Sequence, residues 1–266
     1  MTLLRRGQRK QHGDNRLRWQ KLLRLASPFL LLLLWEALSR FGILDRRFFP
    51  PPSEVAGTAR QMVQDGSLAK AVLDSLRRLA IGYTSGAVLG IAVGLWLGLS
   101  AWSRALFEPW LIVTYPVPKL AIYPLLVLIV GLGEAPIVIL LAIAIFYVVA
   151  INLIAGVMAI RPVILDVGRD CGASFLQLVR TIALPAAMPH IFTGLEISLG
   201  IAYIVLVAAE FVGAKSGLGS VIWSSWQLFD VAPMYVAIVT ISVLGYASVM
   251  LLRLAADRVM PWRRKS

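Results

Sequence analysis

From residue 79 onward the chain consists of long apolar stretches separated by short polar ones. A bilayer core of about 30 Å takes roughly 20 helical residues at about 1.5 Å each, and windows of that length stand out at 79–101, 135–160, 191–212 and 234–256. A fifth window, 106–132, holds Pro109, Pro116, Pro118, Pro124 and Lys119. Proline removes a backbone donor and crowds the turn before it, so this span is expected to be broken, with its most apolar part after Lys119. A sixth, 25–44, centres on PFLLLLLW and carries Glu36 and Arg40 near its far end. The pattern predicts an all-α integral membrane protein of about six transmembrane helices, with residues 79–256 as a five-helix core.

The first window also imitates a secretory signal, with a basic start, a short apolar run and Ala37-Leu38-Ser39 as a cleavage-like triplet. The basic leader, 1–24, is long for a signal and Glu36 stands just ahead of the triplet, which favours a retained anchor. The other five spans keep their orientation either way. Residues 45–78 then form an external loop with Asp45, Glu54, Asp65 and Asp74, and a short amphipathic helix is expected after Pro50-Pro51-Pro52.

Composition agrees: 59% of residues are apolar and 15% charged, where a soluble domain has roughly 45–50% apolar residues. The 26 Lys and Arg against 14 Asp and Glu give a net charge of +12, which alone would suit a nucleic-acid binder. Placement argues otherwise, since eight basic residues lie in the first 24 positions and Arg258, Arg263, Arg264 and Lys265 close the chain. With six spans, seventeen basic residues fall on the side of the termini, eight on the opposite side, and Lys119 within the membrane. The positive-inside rule then puts the leader and the tail, 257–266, in the cytoplasm, against the pull of seven basic residues around the first external loop.

Chemistry is sparse. A single cysteine, Cys171, allows no intramolecular disulfide, and His12 and His190 make no zinc site, so no metal is expected. No Ser, His and carboxylate set has nucleophile spacing, and GAKSGLG at 213–219 is not a phosphate loop. No catalytic residue is expected, and any ATP is bound by another chain. Gly82, Gly86, Gly90, Gly94 and Gly98 recur every four residues, a stripe that lets another helix approach closely. Packing within one subunit is favoured over a dimer contact.

The connection from 161 to 190 is far longer than a hairpin needs. Val167, Cys171, Phe175, Leu178, Val179 and Ile182 recur at steps of three and four, with Asp166, Arg169, Asp170, Gln177 and Arg180 on other faces. This predicts two short amphipathic helices articulated near Gly172 and stopped by Pro185. Such helices rest in lipid headgroups or dock into the groove of a partner.

Here the sequence resembles the permease subunits of bacterial ABC importers that work with a binding protein. Their loop signature is E-A-A, three residues, Gly, nine residues, then I-x-L-P. In this chain Gly172 is followed after nine residues by Ile182, Ala183, Leu184 and Pro185, while the opening triplet is Asp166, Val167 and Gly168. Further stretches resemble the branch that carries aliphatic sulfonates, taurine, nitrate and bicarbonate. They are Pro52-Ser53-Glu54-Val55, Ser75-Leu76-Arg77-Arg78 leading into Gly82-Tyr83, Pro116-Val117-Pro118 with Pro124, and Leu184-Pro185-Ala186-Ala187-Met188-Pro189 before Gly194. Val207-Ala208-Ala209-Glu210 and Gly217-Leu218-Gly219 complete the set. The likeness covers about residues 50 to 250; Glu196 departs from it, standing where relatives commonly place a basic residue.

The resemblance implies a type I ABC importer permease fold in the cytoplasmic (inner) membrane. It further implies a homodimer of this chain, two copies of a separate ABC ATPase holding ATP and Mg, and an external solute-binding protein in which specificity largely resides. Asp166, Gly172, Ala173, Ser174, Ile182, Leu184 and Pro185 would seat in the ATPase. No cofactor is expected on this chain, and a neutral pyrimidine precursor stays open as a solute beside the anions. Ionisable residues inside spans are path candidates: Lys119, and Glu196 and Glu210, which lie 14 positions and about 21 Å apart on the fifth span. A lysine at an interface or paired with a glutamate is the plainer reading of Lys119, and Trp223 and Trp226 read as interface anchors. The rival class is an ion-coupled secondary transporter working alone, for which a broken span is also suited. A membrane enzyme lacks any constellation to do chemistry.

Overall fold

A computed structural model describes residues 26–261; the basic leader and the end of the tail, with Arg263, Arg264 and Lys265, lie outside the described residues. Among these there is no strand. Helix α1 covers 26–40, α2 Pro52–Gln64, α3 Ser67–Leu99, α4 Ala101–Thr114, α5 Tyr123–Val130, α6 Glu134–Met158, α7 Pro162–Asp170, α8 Phe175–Leu178, α9 Leu184–Gly213, α10 Leu218–Gln227 and α11 Val231–Val259.

Helix α6 is apolar on every side, the composition of a helix with protein all round it. Leu140, Leu141, Ile145, Val149 and Leu153 are fully buried between α3 and α9. The glycine stripe of α3 makes this possible. Its glycines meet Leu141, Ile145, Val149, Leu153 and Val157 in turn, four residues apart on both helices. A Cβ on Gly86 would stand 2.5 Å from the Ala142 carbonyl oxygen and 2.9 Å from its Cα, so the two backbones are in contact. A four-residue repeat exceeds 3.6, and the seam therefore drifts in the sense of a right-handed crossing.

Because residue numbers rise together along this seam, α3 and α6 run parallel. The chain between them must recross the same thickness, from the level of Gly98 and Val157 to that of Arg78 and Glu134, 20 residues or about 30 Å of α3. Helix α4, the 3₁₀ turn Lys119–Ile122 and α5 make this return, with a 91° bend between α4 and the segment after it. The bend lies at the level of Tyr147, near the middle of α6, where Tyr115 and Tyr147 meet at 6.2 Å. The break expected from Pro116 and Pro118 is thus a broken crossing, the fifth membrane-length element beside α3, α6, α9 and α11.

Two boundaries differ from the sequence expectation. Residues 67–78, assigned to the external loop, are the first three turns of α3. They hide Ala71, Ser75 and Arg78 on one face, while Asp65, outside the helix, is held below the usual carboxylate range by the Ser67 side chain and by the Ser67 N–H, which donates to it at 2.8 Å. Nor does Pro185 stop a helix. Helix continues from Phe175 to Gly213, 39 residues, because a π segment, Val179–Ala183, precedes the proline; widening the turn there accommodates a ring with no N–H.

Helix α1 leaves Leu30, Leu31, Leu32, Leu33 and Leu34 exposed and fastens its far end to the body. Ser39, with no exposed surface, donates to the Phe49 carbonyl at 2.7 Å. Glu36 accepts from the N–H and hydroxyl of Ser53 at 3.0 and 2.8 Å, satisfying the open N-terminus of α2 from another helix. Trp35 packs against Tyr235 on α11, ring centres 5.2 Å apart and tilted by 47°.

The seam is testable. Gly86→Leu is expected to cost about 1–3 kcal/mol or more, read as a lower midpoint in detergent unfolding, whereas Gly57→Ala, an interior position of α2 whose Cβ meets nothing within 4 Å, does not lower the midpoint and raises it if anything.

Candidate functional site

At the end of the bundle where α6 leaves the membrane, α7 closes with a backbone motif that needs glycine. The Ala173 N–H reaches the Gly168 carbonyl at 3.1 Å and the Gly172 N–H reaches Arg169 at 2.8 Å, the paired bonds of a Schellman close. Gly172 has φ +76°, left-handed and strained for any side chain. Ser174 then starts α8 with a reciprocal cap: its N–H donates to Gln177 Oε1 at 2.7 Å, and its hydroxyl accepts from the Gln177 N–H at 3.4 Å. Gly168, buried under this turn, leaves room for Leu178 and Ile182; a Cβ there would lie 2.7 and 2.8 Å from them. The loop is therefore one short rod, α7, laid against the foot of the long helix that starts at Phe175.

The apolar stripe of this loop divides. Leu178 is buried and Val179 and Ile182 half-buried, which fixes the loop to the bundle, while Val163, Ile164, Val167, Phe175 and Leu176 stay 45–62% exposed. Asp166 pairs with Arg169 at 3.2 Å on the same outer side. Asp166, Gly172 and Ser174 are exposed, Ala173, Ile182 and Leu184 half-buried, and Pro185 exposed at the root of α9. Nothing among the described residues covers the outer face, whose carboxylate, basic and apolar groups suit a protein groove.

The opposite end holds a buried ionic clasp that sequence reasoning did not assemble. Arg78 and Glu210, 3% and 0% exposed, meet at 2.7 Å. Glu210 also accepts from the Ser75 hydroxyl at 2.8 Å and the Gly219 N–H at 2.8 Å; the Ser75 oxygen in turn accepts from the Leu218 N–H at 2.8 Å. Arg78 donates to the carbonyl and hydroxyl of Ser216 at 2.6 and 3.2 Å and reaches Glu134 on α6 at 3.4 Å. Gly217, at φ +115°, turns the chain where a side chain would strike Glu210. Helices α3, α6, α9 and α10 are thereby joined at one point. The signal available in the sequence was the shared appearance of Ser75-Leu76-Arg77-Arg78, the 207–210 stretch and Gly217-Leu218-Gly219, three separated motifs whose common purpose is this contact.

The three path candidates lie apart. Lys119 donates to the carbonyls of Thr114, Tyr115 and Val117 at 3.1, 2.7 and 3.0 Å and sits 4.3 Å over the Tyr147 ring. It meets no glutamate among the described residues: all three of its hydrogens go to carbonyls at or just past the C-terminal end of α4. Glu210 is consumed by the clasp. Glu196, near the other end of α9, pairs with Arg253 of α11, Nε at 2.9 Å, and the pair lines a cavity of about 490 Å³ with Phe192, Thr193, Leu252 and Asp257. On the clasp side Phe211 stacks on Trp223 at 5.9 Å, and Trp226 packs tilted against Trp223 at 4.9 Å. Among the described residues no group of His, Cys, Asp and Glu is placed to hold a metal.

Comparison with known proteins is consistent along the chain. The family model of binding-protein-dependent transport system inner membrane components matches residues 86–261. The chain is 30% identical over 255 residues, 96% of its length and 92% of the relative's, to a putative aliphatic sulfonates transport permease of Bacillus subtilis. It is 31% identical over 260 residues, 94% of each, to the taurine transport system permease of Escherichia coli, and 30% identical over 201 residues, 76% and 72%, to the nitrate import permease of Leptolyngbya laminosa. Among solved structures, a methionine ABC transporter in an inward facing conformation superposes with a TM-score of 0.63 at 20% identity, over 74% of this chain and 96% of the other. A bacterial alginate ABC transporter, solved in complex with an alginate pentasaccharide-bound periplasmic protein, gives 0.57 at 14% identity over 96% and 98%. At such identities the likeness shows the fold.

Removing one member of the buried pair strands the other. Arg78→Met and Glu210→Leu are each expected to destabilise by about 3–5 kcal/mol, and the double variant by much less than their sum. A double-mutant cycle of unfolding in detergent measures this; additive losses would mean that the two charges are not coupled.

Proposed function

The chain belongs to the family of binding-protein-dependent transport system inner membrane components, and on that premise we propose that it imports a small anionic solute by alternating access, driven through its α7–α8 loop. It is a multi-pass inner-membrane permease subunit of an ABC importer and not an enzyme; in such systems the ATPase is a separate component. The finer reading adds a homodimer of this chain, a cytoplasmic ATPase carrying ATP and Mg, and an external solute-binding protein. Both termini face the cytoplasm, with α1 a retained first span. Sulfonate, taurine and nitrate, named for the relatives, set the solute class here, with bicarbonate beside them.

One observation supports the drive: a preformed loop whose outer face is apolar, uncovered and rigidly backed. On this reading the ATPase seats Asp166 to Pro185, and its closure on ATP moves the two permease copies between inward-open and outward-open states as rigid bodies. Glu196 and Arg253, beside their cavity, stand at the cytoplasmic mouth of the path. Lys119 and Glu210 are committed to the break and to the clasp, and the solute does not depend on them for recognition. An ion-coupled carrier has no use for the uncovered loop.

Copurification tests the drive. The tagged wild-type chain, extracted mildly from its native host, is expected to bring down a stoichiometric ATPase, and Gly172→Arg to lose it. Since a Cβ at Gly172 meets nothing within 4 Å inside this chain, the loss reports on the outer face and its turn. An intact complex in the variant, or no ATPase with the wild type, removes the proposal and leaves the ion-coupled carrier. For the path, Lys119→Ala is expected to lower Vmax of uptake in proportion to folded protein and leave KM within about twofold; a tenfold rise in KM would return Lys119 to the path.

A further inference from the structure

Helices α9 and α11 run antiparallel and are tied together twice. The hydroxyls of Tyr203 and Ser248 meet at 2.8 Å. Nearer the α7–α8 loop, seven residues or about 10.5 Å further down α9, Glu196 meets Arg253. The cavity of about 490 Å³ lies beyond this second tie, between Phe192 and Thr193 of α9 and Ala256 and Asp257 of α11. Charged groups within membrane-length helices are costly to place and are there for a use.

The ion pair at the cavity wall is only half used. Both of its hydrogen bonds, from Nε at 2.9 Å and from Nη2 of Arg253, land on Oε1 of Glu196, where a side-by-side fork would engage both carboxylate oxygens. Among the described residues Oε2 of Glu196 and Nη1 of Arg253 are thus left without a partner, one an acceptor and the other a donor. The side chains are 36% and 63% exposed, so a ligand reaches them without parting the pair. Thr193 donates to the Pro189 carbonyl at 2.9 Å, which leaves its oxygen to accept. Asp257 adds a second carboxylate to the lining. A bare oxyanion entering here meets two carboxylates for one guanidinium, and a bare cation meets the guanidinium. A ligand that carries both signs suits the wall: an ammonium on Oε2 and an oxyanion on Nη1. Since those atoms belong to one pair, its two charges must stand only a few bonds apart.

We propose that the Glu196–Arg253 cavity is a binding site for a short zwitterion, a primary ammonium joined to a sulfonate, phosphate or carboxylate. Two sources carry this chemistry, a soluble amino sulfonate and the aminoethyl phosphate head of a membrane lipid. For the soluble source the inference rests on the importer reading and narrows its solute from any small anion to one that also bears an ammonium.

The test is calorimetric titration of the purified full-length permease, with whatever subunits accompany it, in nanodiscs of phosphatidylcholine, whose quaternary ammonium has no hydrogen to donate. The probe is taurine, with ethanesulfonate and ethylamine as its two halves. Taurine is expected to saturate the wild type, and each half to bind about tenfold more weakly or worse. Glu196→Gln and Arg253→Gln are expected to weaken taurine by a similar factor, whereas Tyr203→Phe, which cuts the other tie between the helices, keeps its affinity within about twofold. Nanodiscs of mixed phosphatidylethanolamine and phosphatidylcholine separate the sources. Unchanged taurine affinity there marks the soluble ligand; suppressed taurine binding, with phosphatidylethanolamine retained on extraction by the wild type and lost by Glu196→Gln, marks the lipid. Ethanesulfonate binding as tightly as taurine overturns the proposal, as does a wild type that holds neither taurine nor phosphatidylethanolamine better than Glu196→Gln does. Failure of the importer reading shows elsewhere, in a wild type that brings down no ATPase, and leaves these titrations as they are.

Discussion

Backbone contact between α3 and α6 is the constraint from which the rest of the architecture follows. Lipid rewards no apolar burial between helices, so close approach has to come from small side chains, and five glycines in register supply it. Once the two helices lie parallel, the chain joining them must return through the membrane. It does so with a 91° break at half depth. An opened backbone at that depth is tolerated only where its polar groups find partners, and the ammonium of Lys119 answers three carbonyls at once. A charge inside a span is therefore a product of the glycine seam, one step removed.

The clasp solves a related problem at the other end of the same helices. Arg78 and Glu210 would each be costly alone in a dry interior, and their attraction repays desolvation only with further hydrogen bonds in place. Ser75, Ser216 and the N-terminal amides of α10 provide them. Tyr123, at the head of α5, packs so closely beneath Gly213 that no side chain fits there, which brings the broken crossing to the edge of the clasp. Four helices and the break are thus referred to one buried point.

Much of this was readable in advance, for physical reasons that can be named. Hydropathy registers thickness, so the cores of α3, α6, α9 and α11 fall where the apolar windows do, and the prolines at 116 and 118 announce the break. Residues 67–78 escaped because Lys70, Asp74, Arg77 and Arg78 give them the polarity of a loop, although Ala71, Ser75 and Arg78 already carry the helical spacing. Adjacency is invisible to hydropathy: nothing within α3 says which helix its glycines meet. The position of Gly172 came from a motif, but its reason, a left-handed close to α7, and the passage of helix through Pro185 depend on bonds to residues on either side. Lys119 was hardest, since its partners exist only once the span has broken.

From Phe175 to Gly213 the helix is continuous over 39 residues, about 58 Å at 1.5 Å per residue. The α7–α8 loop stands at its foot and the clasp at its head, so the two are the ends of one lever. A tilt of roughly 10° about the middle would carry each end about 5 Å in opposite directions by simple leverage on that length. Its irregular positions, the π segment and Pro189, both lie near the loop, so bending would be taken up at the foot and the long arm would keep its shape. Work done at one membrane surface would then arrive at the other as displacement, without a relay of side chains between.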